Sequence, residues 1–218
     1  MNQNIIGIIV SFAFVFAIIL IATIIQKIFK LSNEFSRKII HIGVGNWIFL
    51  ALYYFSAWYY AVIGPAAFIL INFLSYKYNI FKAMELEKKN PGTVYYSISL
   101  TICTLLSFSQ TPALIYPFLG ILAMTWGDGM AAVIGARFPI KQLRPGKSLG
   151  GFIAFFVFTS VSVLIYLLVY SSLPTADLIR ITLVTALLGG LIEIFSRKNW
   201  DNLTVPLILG VIGYFLGN

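Results

Sequence analysis

The stretch Asn4–Ile25, NIIGIIVSFAFVFAIILIATII, decides the fold. It carries no Lys, Arg, Asp or Glu, and it is as long as the roughly 20 residues that a helix needs to cross a bilayer. A secretory signal peptide would show a basic leading region and a small-residue cleavage site. Neither is present, so the stretch reads as a retained first span. The remainder is of the same kind: of 218 residues, 60% are hydrophobic and 10% charged, with a mean hydropathy of +0.93. Soluble domains carry about 25% charged residues. This composition excludes a soluble enzyme, a disordered tail and a disulfide scaffold. The lone cysteine, Cys103, lies in the apolar run Ser97–Phe108 and reads as a small buried hydrophobe.

Charge-poor stretches divide the rest of the chain. Lys38–Phe55 and Ala57–Tyr76 form two spans around a tight turn, inside a belt of Tyr53, Tyr54, Phe55, Trp58, Tyr59 and Tyr60. Such aromatic belts mark the headgroup level. Thr93–Phe108 and Pro112–Ala136 follow across the Ser107–Thr111 break, then Phe152–Tyr170, Ala176–Phe195 and a short Leu203–Leu216. The expectation is an all-α, polytopic transmembrane helix bundle of about eight spans, or seven. It forms one integral membrane domain over residues 1–218, with a peripheral first span at 4–26 and a catalytic core at about 36–216.

The net charge of +8 is topological. Basic residues cluster after spans one (Lys27, Lys30, Arg37, Lys38) and three (Lys77, Lys82, Lys88, Lys89). They recur after spans five (Arg137, Lys141, Arg144, Lys147) and seven (Arg197, Lys198), leaving Arg180 alone on the other side. Alternate basic loops predict both termini outside and four loops in the cytoplasm. No nucleic-acid partner is needed to explain them, and a bacterial plasma membrane is the expected location.

The acids are placed as unevenly. Glu34, Glu85 and Glu87 sit in basic loops and read as solvated; Asp177 lies three residues from Arg180 and reads as its ion-pair partner. Asp128, Glu193 and Asp201 fall near the cytoplasmic ends of spans five, seven and eight. An acid inside a span costs about 2.5–3.5 kcal/mol on insertion scales and marks a functional site by default. Gly127, Ala131 and Gly135 recur every four residues beside Asp128. That stripe is either a helix-packing seam or a setting that holds a carboxylate against magnesium.

Arg144-Pro145-Gly146-Lys147-Ser148-Leu149-Gly150-Gly151 precedes span six. Free amides at a helix N-terminus suit phosphate, with a charge from Lys147 and a hydroxyl from Ser148; the alternative is a plain membrane-edge turn. It is not a P-loop, because Gln142 stands where the first glycine belongs. Arg37, Lys38 and His41 share a helical face at the start of span two. His41, the only histidine, is a general base, a phosphate partner, or a hydrogen-bond donor to a neighbouring helix. Glu193 and Arg197 have the spacing of an intrahelical ion pair, and Asp201-Asn202 that of a helix cap.

Together, Arg37-Lys38-x-x-His41, Gly127-Asp128-x-x-Ala131-x-x-x-Gly135, Gly146-Lys147-Ser148 and Asp201-Asn202-Leu203-Thr204-Val205-Pro206 resemble the polyprenol kinase family. That family holds dolichol kinase, phytol and farnesol kinases and the CTP-dependent diacylglycerol kinase, and the resemblance spans about Ser36–Pro206. It implies an integral membrane kinase that phosphorylates a lipid alcohol, with CTP as donor and a divalent metal such as magnesium. It also implies that Arg37, Lys38, Asp128 and Gly135 occupy positions on which activity depends. The family loop often reads Lys-Ser-x-Glu-Gly; Gly150 stands here in place of the Glu, whose role is void or passes to Glu193.

The expected site follows. Lys147, Ser148, Gly150, Gly151, Gly127, Gly135 and Arg144 bind the nucleotide's phosphates, with help from Arg37 and Lys38. Asp128 holds the metal, aided by Asp201, Asn202 or Glu193, and His41 or a carboxylate takes the proton. A phosphatidate cytidylyltransferase-like enzyme is the alternative, although the C-terminal signature of that family is absent. From another class, a small-ion or proton-coupled transporter would line its path with Asp128, Glu193 and Arg37.

Overall fold

The computed structural model describes residues 2–78, 80, 91–110, 114–197 and 199–217. Lys82, Glu85, Glu87, Lys88, Lys89, Pro112 and Lys198 lie outside the described residues. The helices are α1 (Gln3–Phe29), α2 (Asn33–Gly45), α3 (Trp47–Tyr54), α4 (Trp58–Ala61), α5 (Ile63–Tyr78) and α6 (Gly92–Ser107). Next come α7 (Phe118–Leu122), a π-helical turn (Ala123–Asp128) and α8 (Gly129–Arg137), then a hairpin of β1 (Gln142–Arg144) and β2 (Lys147–Ser148). Finally α9 (Leu149–Tyr170), α10 (Thr175–Phe195) and α11 (Asp201–Gly217) complete the chain. Taken as legs, α2 with α3, α4 with α5, and α7 through α8 join the other five helices to match the eight expected spans. Among the described residues, five legs are long and apolar enough to cross a membrane, while Gly92–Ser107 and Asp201–Phe215 are shorter apolar helices. The protein is an all-α polytopic membrane protein.

α1 shows why these sequences pack in lipid. Its buried positions are Asn4, Gly7, Ser11, Val15, Ile19 and Ala22, while Ile5, Ile9, Phe16, Leu20 and Ile24 face outward. Small and polar residues at helical spacing turn inward, and the large apolar ones meet the acyl chains. Close backbone approach and hydrogen bonds, rather than exclusion from water, hold such helices together. Trp47 Nε1 accordingly donates to Ser11 Oγ at 2.8 Å, and Ser56 N to Asn4 Oδ1 at 2.9 Å.

Those contacts also define one end of the bundle. The start of α1 meets Tyr53 and Ser56 there, and Tyr166 Oη donates to Ile115 O at 2.9 Å. The central core is built from Trp47, Ile48, Phe118, Leu122, Val163 and Tyr166. At the opposite end, α2, α8, the hairpin, and the facing ends of α10 and α11 converge.

Candidate active site

Asp128 ends the π-helical turn. A π turn shifts the register of every side chain after it and leaves carbonyls open to other donors. One such carbonyl, Met124 O, accepts from His41 Nε2 at 2.9 Å. Because a carbonyl only accepts, Nε2 carries the proton, and Nδ1 of a neutral ring keeps its lone pair. The His41 ring packs on Tyr96, centroids 4.3 Å apart, and Tyr96 Oη shares a 2.8 Å hydrogen bond with Thr125 Oγ1 in the same turn. Composition and spacing had no means of showing a π turn, so this support for His41 was not foreseen.

Lys38 Nζ meets Asp128 Oδ2 at 2.5 Å, and His41 Nε2 lies 3.8 Å from that oxygen. Across the cavity Lys147 Nζ donates to Glu193 Oε1 and, at 2.8 Å, to Asp201 Oδ2. Lys38, Asp128, Glu193 and Asp201 are all buried. Glu193 therefore pairs with Lys147, not with Arg197, which is exposed. Asp201 opens α11 and its Oδ1 accepts from Asn202 N at 3.0 Å, while Asn202 O accepts from Ser99 Oγ at 2.8 Å. One oxygen from each of Asp128, Glu193 and Asp201 lies within 4.8 Å of the others. Burial alone would pull the Lys147 ammonium below the ordinary lysine value. The carboxylates of Asp201, Glu193 and Asp128 outweigh burial and hold it above that value.

The hairpin aims Lys147. Pro145 and Gly146 are its two central residues, and Gly146 takes φ +76°, the left-handed position that the Pro-Gly order of a type II turn requires. Preceding it, Ile140 sits at φ +57°, a strained setting for a β-branched residue. That strain turns two carbonyls onto the start of α9: Leu149 N donates to Lys141 O at 2.8 Å and Gly150 N to Pro139 O at 3.2 Å. Ser148 caps α9, accepting from Gly151 N at 3.1 Å.

Those bonds correct the expectation of a free phosphate cradle. The amides of Gly150 and Gly151 are engaged within the fold, and the two glycines serve close packing instead. A Cβ on Gly150 would strike Phe138 O, and one on Gly135 would come within 2.9 Å of Gly151 Cα. Gly127 likewise gives way to Thr159 and Phe155. The small-residue stripe is thus the seam on which the π turn and α8 pack against α9, with Gly135 against Ser148 and Gly151.

A cavity of about 520 Å³ gathers most of the expected site. Arg37, Lys38, Asp128 and Gly135 line it on one side; Lys147, Ser148, Gly151, Glu193, Asp201 and Asn202 line it on the other. Four expected residues do not line it. Gly127 and Gly150 lie in the packing seams, and Arg144 stands over the Phe195 ring at 4.9 Å. His41 opens onto a second, apolar cavity. Glu34, read as solvated, does line the polar cavity although it is exposed. The expected Asp177–Arg180 pair forms, at 3.0 Å.

Comparison with known proteins bears on this arrangement. The phytol kinase of Synechocystis sp. is 30% identical over 203 residues, covering 91% of this chain and 86% of that protein. The chain belongs to the polyprenol/phytol kinase family. An uncharacterized protein of Methanocaldococcus jannaschii is 29% identical over 191 residues, covering 83% of this chain and 92% of that protein. No family model and no solved structure matches the chain.

Proposed function

We propose that the protein is a kinase that transfers the γ-phosphoryl group of a nucleoside triphosphate, CTP, to the hydroxyl of a membrane lipid alcohol such as phytol, farnesol or a polyprenol. Transfer takes place at the cytoplasmic face of a bacterial plasma membrane. The observation that carries this reading is the convergence of three buried carboxylates with Lys38, Lys147 and Arg37 in one polar cavity of a membrane protein homologous to a phytol kinase. An ion path would instead distribute its acids through the depth of the bilayer.

The donor set fits a hard divalent cation such as Mg²⁺, which takes carboxylate oxygens and the phosphates of its substrate. Asp128, Glu193 and Asp201, with the Asn202 amide beside them, would hold it, and it would supply charge neutralisation at the β- and γ-phosphates. Lys38 and Lys147 engage one side of these carboxylates.

Phosphoryl transfer is chiefly positioning and neutralisation, and the chain supplies both. Arg37 presents a guanidinium at the cavity wall. It donates through its two terminal nitrogens to two oxygens of one phosphate. Lys147 provides a point charge that remains protonated at physiological pH. The alcohol oxygen attacks the γ-phosphorus, the bond from that phosphorus to the β–γ bridging oxygen breaks, and the nucleoside diphosphate leaves. His41 Nδ1 receives the hydroxyl proton.

Purified protein in detergent–lipid micelles, given Mg²⁺ and CTP labelled at either the α or the γ position, tests the reaction. The γ label is expected in the lipid product with phytol, farnesol or polyprenol. The α label in lipid would establish cytidylyl transfer instead, and no label with any alcohol would remove the kinase reading.

A further inference from the structure

A second cavity, of about 60 Å³, lies between α1, α2, α5 and α6. Arg37 and Asn202 line both this cavity and the polar one, so the two meet at a common wall. The remaining lining falls into two parts. Towards the shared wall stand His41, Asn72, Thr93 and Tyr96; away from it stand Val15, Trp47, Gly64, Pro65 and Phe68. In that part Trp47 donates to Ser11 Oγ at 2.8 Å.

The polar part is unsatisfied. Asn72 donates through Nδ2 to Ser97 Oγ at 2.7 Å and Thr93 O at 3.2 Å, which leaves Oδ1 as acceptor. Asn72 Oδ1, Thr93 Oγ1 and Arg37 Nε are all buried without a hydrogen-bond partner among the described residues. Three such atoms around one cavity are unusual, because buried polar groups are nearly always paired. A hydroxyl, which both donates and accepts, meets this need; a wholly apolar guest does not.

We infer that this slot is the acceptor site: it takes a lipid alcohol with one hydrocarbon chain, hydroxyl at the Arg37–His41 wall and chain directed towards Gly64 and Trp47. The inference rests on the kinase reading above and adds the location of the acceptor and its single-chain character. One probe sphere occupies about 10–15 Å³, so the slot holds a short file of methylene-sized groups. Two acyl chains side by side would have to widen it. Gly64 sets its length. A Cβ there would meet only Ser11 Cβ at 3.8 Å and Trp47 Cζ2 at 4.0 Å, ordinary contacts, so the first carbon of a side chain is accommodated at this wall of the slot.

Kinase assays on Gly64→Leu with prenyl alcohols of five, ten and twenty carbons test the assignment. Each methylene excluded from apolar contact weakens binding about fourfold. KM for the ten- and twenty-carbon alcohols should therefore rise more than about tenfold, with KM for the five-carbon alcohol and all kcat values nearly unchanged. Gly64→Ala should give the same length-dependent pattern at about fourfold, and it carries the test where the leucine variant fails to fold. Equal KM changes at all lengths, or none, would overturn the slot. So would wild-type preference for diacylglycerol over every single-chain alcohol. Absence of transfer by wild type to any alcohol would instead overturn the kinase reading itself.

Discussion

Lys147 joins two buried carboxylates and faces a third, and that explains both its charge and its reach. Because the folded state holds its pKa above the unfolded lysine value of about 10.4, its ion pairs contribute fully below that pH and are lost only above it. Activity from about pH 6 to 9 should show no alkaline limb from Lys147, and Lys147→Arg should leave the profile's shape unchanged. A falling limb that Lys147→Arg displaces would contradict the assignment. Lys38 is the more exacting residue. Its pair with Asp128 is buried, and removing one partner of such a pair costs about 3–5 kcal/mol. Lys38→Met is expected to lower thermal stability in detergent as well as transfer, whereas exposed Arg197→Met should change neither, by static light scattering and assay. Asp128 was legible because a carboxylate inside an apolar stretch is rare, and Arg37 and Lys38 because they share a helical face with His41 and match the family motif. The pairing of Lys147 with Glu193 and Asp201 was not, since three separate legs bring those groups together and no local spacing encodes that.

At the scale of elements, the hairpin and the start of α9 act as one device. The strained Ile140 backbone places two carbonyls on the α9 amides, while the Pro145-Gly146 turn directs Lys147 at the acids. A left-handed setting costs a residue with a Cβ about 1–2 kcal/mol, and Asn tolerates it better. Ile140→Asn should therefore raise stability by about 1 kcal/mol with transfer unchanged; a lower melting temperature would show that the isoleucine side chain has a packing role. Gly135→Ala should act in the opposite sense, since its Cβ meets the α9 backbone, and both stability and transfer should fall. The glycine stripe was visible in the sequence, but its purpose was divided between packing and ligand approach. The backbone decides it: the amides of α9 are already bonded, so the glycines bring helices together and the charges come from side chains. The π turn left no sign in composition, because register shifts of one residue preserve apolar periodicity over so short a run.

For the whole molecule, apolar stretches gave the legs correctly, since a lipid-facing helix is apolar all round and strands or loops have no such option. The arrangement is consistent with the basic loops on one side: the polar cavity lies at the end of the bundle opposite the Asn4–Ser56 contacts. Orientation is open to direct measurement. Cys103 is buried, so background labelling is low. In intact cells an impermeant maleimide should modify Ser172→Cys, between α9 and α10, and should reach Gln142→Cys only after permeabilisation. The reverse pattern would place the cavity outside and remove the cytosolic nucleotide supply that the kinase reading needs.

The central claim is that the buried carboxylate of Asp128 serves phosphoryl transfer and is not simply a partner for Lys38. Single-turnover transfer of γ-labelled phosphate to phytol by Asp128→Asn, beside wild type and Lys38→Met/Asp128→Asn, tests it most directly. The double variant removes the unpaired lysine and so restores the charge balance that the single variant loses. Protein that elutes as a single folded species yet transfers at least about a thousandfold more slowly, a barrier increase of about 4 kcal/mol, in both variants is the result predicted. Near wild-type transfer by folded protein in either variant would contradict the account, since Asp128 would then be a structural counter-ion and nothing more.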